Sequence, residues 1–260
     1  MLSRWRKSRR GAHRGAEGYR AYVVGDVHGR LDLLRGLLDG IRQDHAARGG
    51  EAALLLVFLG DLIDRGPDSR GVVELVRTGP IGGARTIALA GNHEEVLLRL
   101  LDGERGLLQQ WLRFGGDACL ASYGGDPQAL ETAPEQQALA RVKELVPDEH
   151  RAFLAGLADT FRFGDYLFVH AGIRPGVPLQ QQTARDLRWI RRAFLDDPRD
   201  HGMTVVHGHT ITQEVDLRPN RIGIDTGAHQ FGVLTALAIE GDEHWVIQER
   251  SACDVEGDGR

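Results

Sequence analysis

Cysteine is scarce: Cys119 and Cys253 are the only two in 260 residues, and nothing about their positions matches a thiolate metal motif. A disulfide framework and a structural zinc site are therefore excluded, and two free thiols fit a reducing compartment, with cytoplasm as the expected location. Long hydrophobic runs are missing as well. The longest is the eight residues Ala52 to Leu59, far short of the ~20 that a membrane helix needs. The basic N-terminus is not followed by an apolar stretch, so no secretory signal is expected. Lysine occurs twice, at Lys7 and Lys143, and arginine supplies the rest of the 32 basic residues. This bias carries no functional reading. Aromatic residues make up only 6% of the chain, so base-stacking surfaces must be sought at single positions.

What remains is ordinary for a globular protein: 42% hydrophobic and 27% charged residues, enough for one large α/β core. The net charge of −5 conceals an asymmetry. Residues 1–20 hold seven basic groups (Arg4, Arg6, Lys7, Arg9, Arg10, Arg14, Arg20) against the single acid Glu17. Such a tail can meet nucleic acid or an anionic membrane, but no aromatic pattern or amphipathic face accompanies it, and a solvated leader is the preferred reading. The expected organisation is a basic disordered leader over 1–19, one domain over 20–250 and an acidic tail over 251–260.

Along the domain, apolar runs alternate with glycine-rich polar turns and periodic helical stretches. A strand over Ala21 to Val24 precedes Gly25-Asp26-Val27-His28-Gly29-Arg30, and then a helix with Leu31, Leu33, Leu34, Leu37, Leu38 and Ile41 on one stripe. The strand Ala52 to Leu59 precedes Gly60-Asp61-Leu62-Ile63-Asp64-Arg65-Gly66, and then a helix with Pro67 in its first turn. A third strand, Thr86 to Ala90, precedes Gly91-Asn92-His93-Glu94-Glu95 and the helix Val96 to Leu101. Three strand–turn–helix units in sequence place their polar turns along one sheet edge, where open α/β folds bind ligands. Residues 102–160 break the rhythm and read as a helical insertion or lid. Strands resume at Tyr166 to Val169, Thr204 to Val206, Arg221 to Ile224, Gly232 to Ile239 and Trp245 to Gln248, with one helix over Ala184 to Leu195.

Five polar clusters each follow a strand: Asp26/His28, Asp61/Asp64/Arg65, Asn92/His93, His170 and His207/His209. Singly they are weak signals. Together, at successive strand ends, they form a mixed imidazole and carboxylate set that suits Mn, Fe or Zn better than Ca or Mg.

In their order, Gly25-Asp26-Val27-His28-Gly29, Gly60-Asp61-Leu62-Ile63-Asp64-Arg65-Gly66, Gly91-Asn92-His93-Glu94, His170-Ala171-Gly172 and Gly208-His209-Thr210 resemble the signature of the calcineurin-like metallophosphoesterases. The nearer resemblance is to the phosphoprotein phosphatase branch, especially its small bacterial and phage members. It implies an α/β fold, a two-sheet β-sandwich flanked by helices, here with a helical insertion. It also implies two divalent transition-metal ions, Mn²⁺ before Fe or Zn. Asp26, His28 and Asp61 would hold one, and Asp61 would bridge to a second held by Asn92, His170 and His209. A hydroxide shared by the ions would attack phosphorus in line. His93 would protonate the leaving oxygen with Asp64 orienting its ring, while Arg65, Asn92 and Arg191 would bind the phosphoryl group.

The resemblance leaves the substrate open. A phosphorylated protein, through serine/threonine phosphatase activity, is the leading expectation, with a small phosphate ester as the other form of it. Symmetrical dinucleoside tetraphosphate hydrolysis is the alternative, and an inactive binding module is the third. Asp64 and Glu94 favour the phosphatase, whereas Arg-Gly-Pro-Asp-Ser and His-Ala-Gly are shared with the dinucleotide branch. Trp189 is the nearest candidate for base stacking and is read as a core residue, which also favours the phosphatase. Trp111 and Phe114 are read as core. His207 is read as supporting the site from behind, on the same strand face as His209. His229 is read as structural, Arg30 and Arg174 as exposed loop charges, and His13, His45, His150, His201 and His244 as surface residues.

Overall fold

The computed structural model describes residues 13–251. The first twelve residues of the basic leader and residues 252–260 of the acidic tail lie outside the described residues. Ten strands are seen among those described: β1 (Tyr19–Val24), β2 (Ala53–Phe58), β3 (Arg85–Ala88), β4 (Thr160–Phe163), β5 (Tyr166–Val169), β6 (Thr204–His207), β7 (Asp216–Leu217), β8 (Arg221–Gly223), β9 (Val233–Glu240) and β10 (Glu243–Arg250). They form two five-stranded sheets, ordered β10-β9-β1-β2-β3 and β4-β5-β6-β8-β7. The central strands of each are parallel: β1 with β2 and β2 with β3 in the first sheet, β5 with β6 and β6 with β8 in the second.

The two sheets pack face to face, and alternation along the strands shows how. Ala21, Val23, Leu55, Val57, Leu237 and Ile239 of the first sheet meet Phe163, Phe168, Val206 and Ile222 of the second. Their neighbours Tyr22, Val24, Leu54, Leu56 and Phe58 point the other way, onto helices. A strand covered on both faces is apolar at every position, which is why Ala52 to Leu59 is an unbroken run rather than an alternating one.

Helices α1 (Leu31–Arg48), α2 (Ser69–Thr78) and α3 (Asn92–Leu101) lie on the outer face of the first sheet. The six apolar positions foreseen on α1 are all buried. The insertion contributes α4 (Leu108–Trp111), a π-turn (Leu112–Gly116), α5 (Asp117–Ser122), α6 (Pro127–Thr132), α7 (Glu135–Leu145) and α8 (Asp148–Ala155). It shares the core of α1–α3 through Trp111, Leu120, Leu130, Val142 and Leu154. The outer face of the second sheet is covered by α9 (Ala184–Trp189) and α10 (Arg192–Leu195), through Leu187, Ile190 and Phe194. A last short helix, α11 (Ala228–Phe231), precedes β9.

Several sequence expectations need correction. Pro67 lies before α2, not inside it, because Asp68 is the cap and its carboxylate accepts from the Gly71 amide. The single helix over Ala184 to Leu195 is two. Ile190 turns extended (ψ 144°) and Arg191 leaves helical space (φ −130°, ψ −112°), so an unbroken apolar pattern hides a kink. Strands β4 and β7 are short and lacked a signal of their own. His150 is buried, not a surface residue, and joins the Tyr123 hydroxyl to Glu74. Phe114 and Trp189, both read as core, are 59% and 38% exposed.

The described part of the leader is also built into the fold. The Arg14 carbonyl accepts from the Asp165 amide and the Gly15 amide donates to Gly241. Arg20, counted with the basic tail, is only 2% exposed. Its guanidinium meets the Glu240 carboxylate at 2.7 Å and donates to the carbonyls of His45 and Gly49, tying β1 to the end of α1 and to β9. Arg20→Ala is expected to cost about 2–3 kcal/mol, because two carbonyls and a half-exposed carboxylate lose their donor together. Urea unfolding followed by circular dichroism would measure this, and a loss below about 0.5 kcal/mol would mean water replaces the guanidinium freely.

Candidate metal centre and catalytic site

The parallel strands of both sheets end at a common edge, and each end carries a polar turn. Asp26 and His28 follow β1, Asp61, Asp64 and Arg65 follow β2, Asn92 and His93 open α3 after β3, His170 follows β5, and His209 follows β6. The site therefore draws on both sheets, with the C-terminal strand ends facing one another.

Asp61 stands at the middle. Its carboxylate belongs to two groups whose ligand atoms lie within 4.8 Å of one another, His28/Asp61/His93 and Asp61/His170/His209. Its Oδ2 is 3.6 Å from His28 Nε2 and 3.5 Å from His170 Nε2. In each of these imidazoles the far nitrogen is committed to a backbone carbonyl: His28 Nδ1 donates to Ile63 at 2.9 Å and His170 Nδ1 donates to Leu59 at 3.0 Å. These bonds set the tautomer and leave both Nε2 lone pairs turned towards Asp61.

Several observations fit this donor set to a cation. His170 Nε2 lies 3.0 Å from Asn92 Oδ1, so two acceptors face each other, an arrangement that a shared positive ion satisfies. Asp26 Oδ1 and His209 Nε2 are buried without a hydrogen-bond partner. Three buried carboxylates crowd together. Burial first, then Asp225 and Asp61, push Asp26 well above the carboxylate range, and burial with Asp61 raises Asp225 to about 6. Burial also works against ionisation of Asp61, but His170, His93, His28 and His209 outweigh it and hold Asp61 low. Burial keeps His28 and His170 below their usual range and takes His209 to about 2, so all three are neutral donors.

The backbone is bent to make this arrangement. His28, Asp61, Asp64, Arg65 and His209 all have left-handed φ, and they are the only non-glycine residues described that do. Each such residue costs on the order of 1–2 kcal/mol, and the clustering of all five here marks a functional site. Gly208 allows the closest approach, since a Cβ there would fall 1.9 Å from Asp26 Oδ1. Glu94, read from sequence only as a mark of the phosphatase branch, turns out to be the fastener. Its buried carboxylate accepts from the amides of Asp61 and Gly91 at 2.9 Å, Leu62 at 2.8 Å and Ile63 at 3.3 Å, joining two of the strand-end turns.

His93 Nδ1 lies 2.6 Å from Asp64 Oδ2. Burial opposes protonation of His93, but Asp61 and Asp64 prevail and raise its pKa. Asp64 also accepts from the indole Nε1 of Trp111, a contact not read from the sequence. Arg65 reaches the site directly, its NH1 2.7 Å from His28 Nε2. Arg191 sits exposed at the kink between α9 and α10, near enough for its charge to depress His209. The left-handed turn at His209 takes that residue off the strand, so His207 and His209 do not share a face. His207 packs edge-on against Phe194 and lies 3.3 Å from Arg221. Asp225 and His229 were not assigned to the site, yet Asp225 is electrostatically coupled to Asp26 and the His229 ring is 4.9 Å from that of His28.

Replacing Asp61 by Asn removes the one charge common to both groups. Asp61→Asn is expected to lower bound divalent metal from two ions to one or none, and activity by at least about a hundredfold. Metal analysis by inductively coupled plasma spectrometry alongside turnover decides this, and two retained ions with near-native activity would remove Asp61 from the shared position.

Comparison with known proteins agrees with this geometry. The chain is 27% identical over 245 residues to the asymmetrical bis(5'-nucleosyl)-tetraphosphatase PrpE of Halalkalibacterium halodurans, covering 88% of this chain and 93% of that protein. It is 26% identical to serine/threonine-protein phosphatase 2 of Escherichia coli, covering 84% and 92%. A solved structure proposed to be a diadenosine tetraphosphatase shares the fold with a TM-score of 0.61 at 22% identity, covering 91% of this chain and 96% of its own. Residues 19–228, which carry every strand-end motif described above, match the calcineurin-like phosphoesterase family, and the chain belongs to it.

Proposed function

We propose that this metal-dependent phosphoesterase hydrolyses dinucleoside tetraphosphates, with two Mn²⁺ ions as its metals. The observation that carries the reading is the position of two exposed aromatic rings. Phe114 is on the π-turn whose Gly115 carbonyl accepts from the Arg65 amide. Trp189 is held through its indole nitrogen to Glu95, two residues beyond His93. A dinucleotide offers a base on each side of its phosphate chain, and exposed rings carried next to the Arg65 loop and next to α3 would give each base a stacking partner. This reverses the expectation drawn from the sequence, where Trp189 and Phe114 were assigned to the core and a phosphopeptide was favoured. Similarity over nearly the whole chain to a bis(5'-nucleosyl)-tetraphosphatase supports the same reading.

Asp26, His28, Asp61, Asn92, His170 and His209 would hold the two ions. When bound, these supply Lewis acidity, lower the pKa of water and neutralise phosphoryl oxygens. The chain's own groups do the rest. Arg65, Asn92 and Arg191 bind the non-bridging oxygens at the scissile phosphorus. His93, with Nδ1 on Asp64, presents Nε2 to the leaving oxygen and gives it a proton. Asp64 keeps that ring oriented and its positive charge balanced.

One observation favours the second reading, a serine/threonine protein phosphatase. An acid held by a buried carboxylate suits an alkoxide leaving group, which needs a proton more than a nucleotide phosphate does, and the Escherichia coli protein phosphatase is similar over most of this chain.

The two readings separate on rates and on the rings. With Mn²⁺ at matched concentration, kcat/KM for diadenosine tetraphosphate is expected to exceed that for phosphoserine and phosphothreonine peptides. Phe114→Ala and Trp189→Ala are each expected to raise KM for the dinucleotide by about tenfold, the worth of one stacked base, with little change on p-nitrophenyl phosphate. Faster turnover of phosphopeptides would return the assignment to the protein phosphatase. Product analysis by chromatography shows whether the chain is cut symmetrically, to two ADP, or asymmetrically, to ATP and AMP.

A further inference from the structure

The helical insertion, read from the sequence as an insertion or lid, meets the loop of the reacting groups along a short stretch, Trp111 to Gly115, where α4 runs into the π-turn. Two independent bonds leave this stretch for consecutive residues of the β2 loop. The Trp111 indole donates to both oxygens of the Asp64 carboxylate, at 3.0 and 3.2 Å. The Gly115 carbonyl accepts from the Arg65 amide at 2.9 Å. Asp64 and Arg65 are consecutive left-handed residues, at φ 71° and 69°, a conformation that the chain does not hold by itself. Gly115 is left-handed too, at φ 104°, and a Cβ there would fall 2.5 Å from the Arg65 amide nitrogen. The π-turn thus lies flush against the strained pair, with no room for a side chain between them. Trp111 is itself fixed, 3% exposed in the apolar core shared with α3 and α5.

We infer that Trp111 and Gly115 are positioning residues for the acid and phosphate-binding groups, so that the insertion sets the geometry of the reaction instead of merely covering it. The indole N–H fixes the plane of the Asp64 carboxylate, so that Oδ2 meets His93 Nδ1 at 2.6 Å and the imidazole is held with Nε2 facing the reacting phosphate. The Gly115 carbonyl holds the backbone of Arg65, and with it the start of the guanidinium arm. One rigid turn keeps proton donor and phosphate clamp in register, although one acts at the leaving oxygen and the other at the phosphoryl oxygens. The Trp111 indole gives its only N–H to the carboxylate that serves His93.

The inference rests on the reading of His93 as proton donor to the leaving oxygen, and the test separates the two. Trp111→Phe is assayed in the full-length protein with Mn²⁺ on phenyl phosphate, whose leaving group needs a proton, and on 2,4-dinitrophenyl phosphate, whose leaving group does not. The same pair of esters is given to His93→Asn and Asp64→Asn. Loss of the indole donor is expected to lower kcat on phenyl phosphate about tenfold, with KM and two bound metal ions retained and the dinitrophenyl ester barely affected. The double variant Trp111→Phe with Asp64→Asn is expected to be no slower than Asp64→Asn alone, because the indole acts through that carboxylate. Should Trp111→Phe lower the melting temperature strongly, benzothienylalanine at position 111 keeps the ring shape and removes only the N–H. Gly115→Ala, which displaces Arg65, is expected instead to weaken inhibition by inorganic phosphate about tenfold, with the leaving-group dependence intact.

Equal losses on both esters, no loss on either, or additive losses in the double variant would overturn the positioning role, while a leaving-group effect confined to His93→Asn would leave His93 as the acid. If His93→Asn treats the two esters alike, the acid assignment fails and the role of Trp111 fails with it.

Discussion

Charge buried away from water must be answered by charge or by hydrogen bonds, and this requirement organises the whole strand-end edge. Asp26, Asp61, Asp64, Glu94 and Asp225 are all 2% exposed or less, a density of carboxylates that no apolar core tolerates unaided. Each is answered differently. Glu94 is satisfied by four backbone amides, Asp64 by an imidazole and an indole, and Asp61 in part, by the His93 amide on Oδ1, while its Oδ2 faces imidazole nitrogens 3.5–3.9 Å away. Asp26 has only the His209 amide on one oxygen and no partner on the other, beside an Asp225 that repels it. The deficit is concentrated where the Nε2 lone pairs of His28, His170 and His209 also converge, so the same residues that would be destabilising alone form a donor set that bound cations would satisfy.

The sandwich makes that concentration affordable. Between their ends the strands β1, β2, β5 and β6 are apolar on both faces, and their buried polar residues, Arg20, Thr204 and His207, lie near strand ends. Because the central strands are parallel within each sheet, their ends coincide. Five left-handed residues, each costing on the order of 1 kcal/mol, are tolerated there because the flanking strands and helices are over-determined by burial. The Glu94 carboxylate illustrates the coupling: it caps α3 and the Asp61 turn together, so the helix cannot form in register without placing Asn92 and His93 beside Asp61.

Much of this was legible in the sequence because the informative signals are local. An eight-residue apolar run, Gly-Asp-x-His-Gly and Gly-Asn-His-Glu each couple a strand to its terminal turn within a few residues. The metal-ligand candidates were found this way, and Tyr166–Val169 was located without error. Contacts made across long stretches of chain were not legible. Trp111 meets Asp64 from 47 residues away, and nothing in Leu108-Gln109-Gln110-Trp111 separates an indole that serves a carboxylate from one that only fills the core. His150 looked like a surface histidine because its partners, Tyr123 and Glu74, are remote in sequence. The kink at Ile190 and Arg191 keeps a helical apolar period, so periodicity runs across it unbroken, and with it Trp189 was misplaced into the core. The left-handed turn at His209 likewise defeated the two-residue strand rule that paired it with His207.

Those misplacements are what turned the proposed substrate from a phosphopeptide to a dinucleotide. The strand-end cluster is common ground for ester and anhydride hydrolysis, since both need a positioned phosphoryl group, an activated water and a stabilised leaving oxygen. Discrimination must come from what lies around it. Phe114 hangs from the insertion, next to the Gly115 carbonyl that holds the Arg65 amide, and Trp189 from the end of α9, with its indole on Glu95, so the two rings are carried by different packed elements. Neither ring belongs to the apolar clusters that bury their neighbours Trp111, Leu112, Leu187 and Ile190, and each leaves part of its face in water. An aromatic side chain left in water loses the free energy that burying it would bring, a loss on the order of 2 kcal/mol. Such a cost is met when a flat apolar ligand covers the ring, and under the proposed function a nucleobase would do so where the backbone of a phosphopeptide would not.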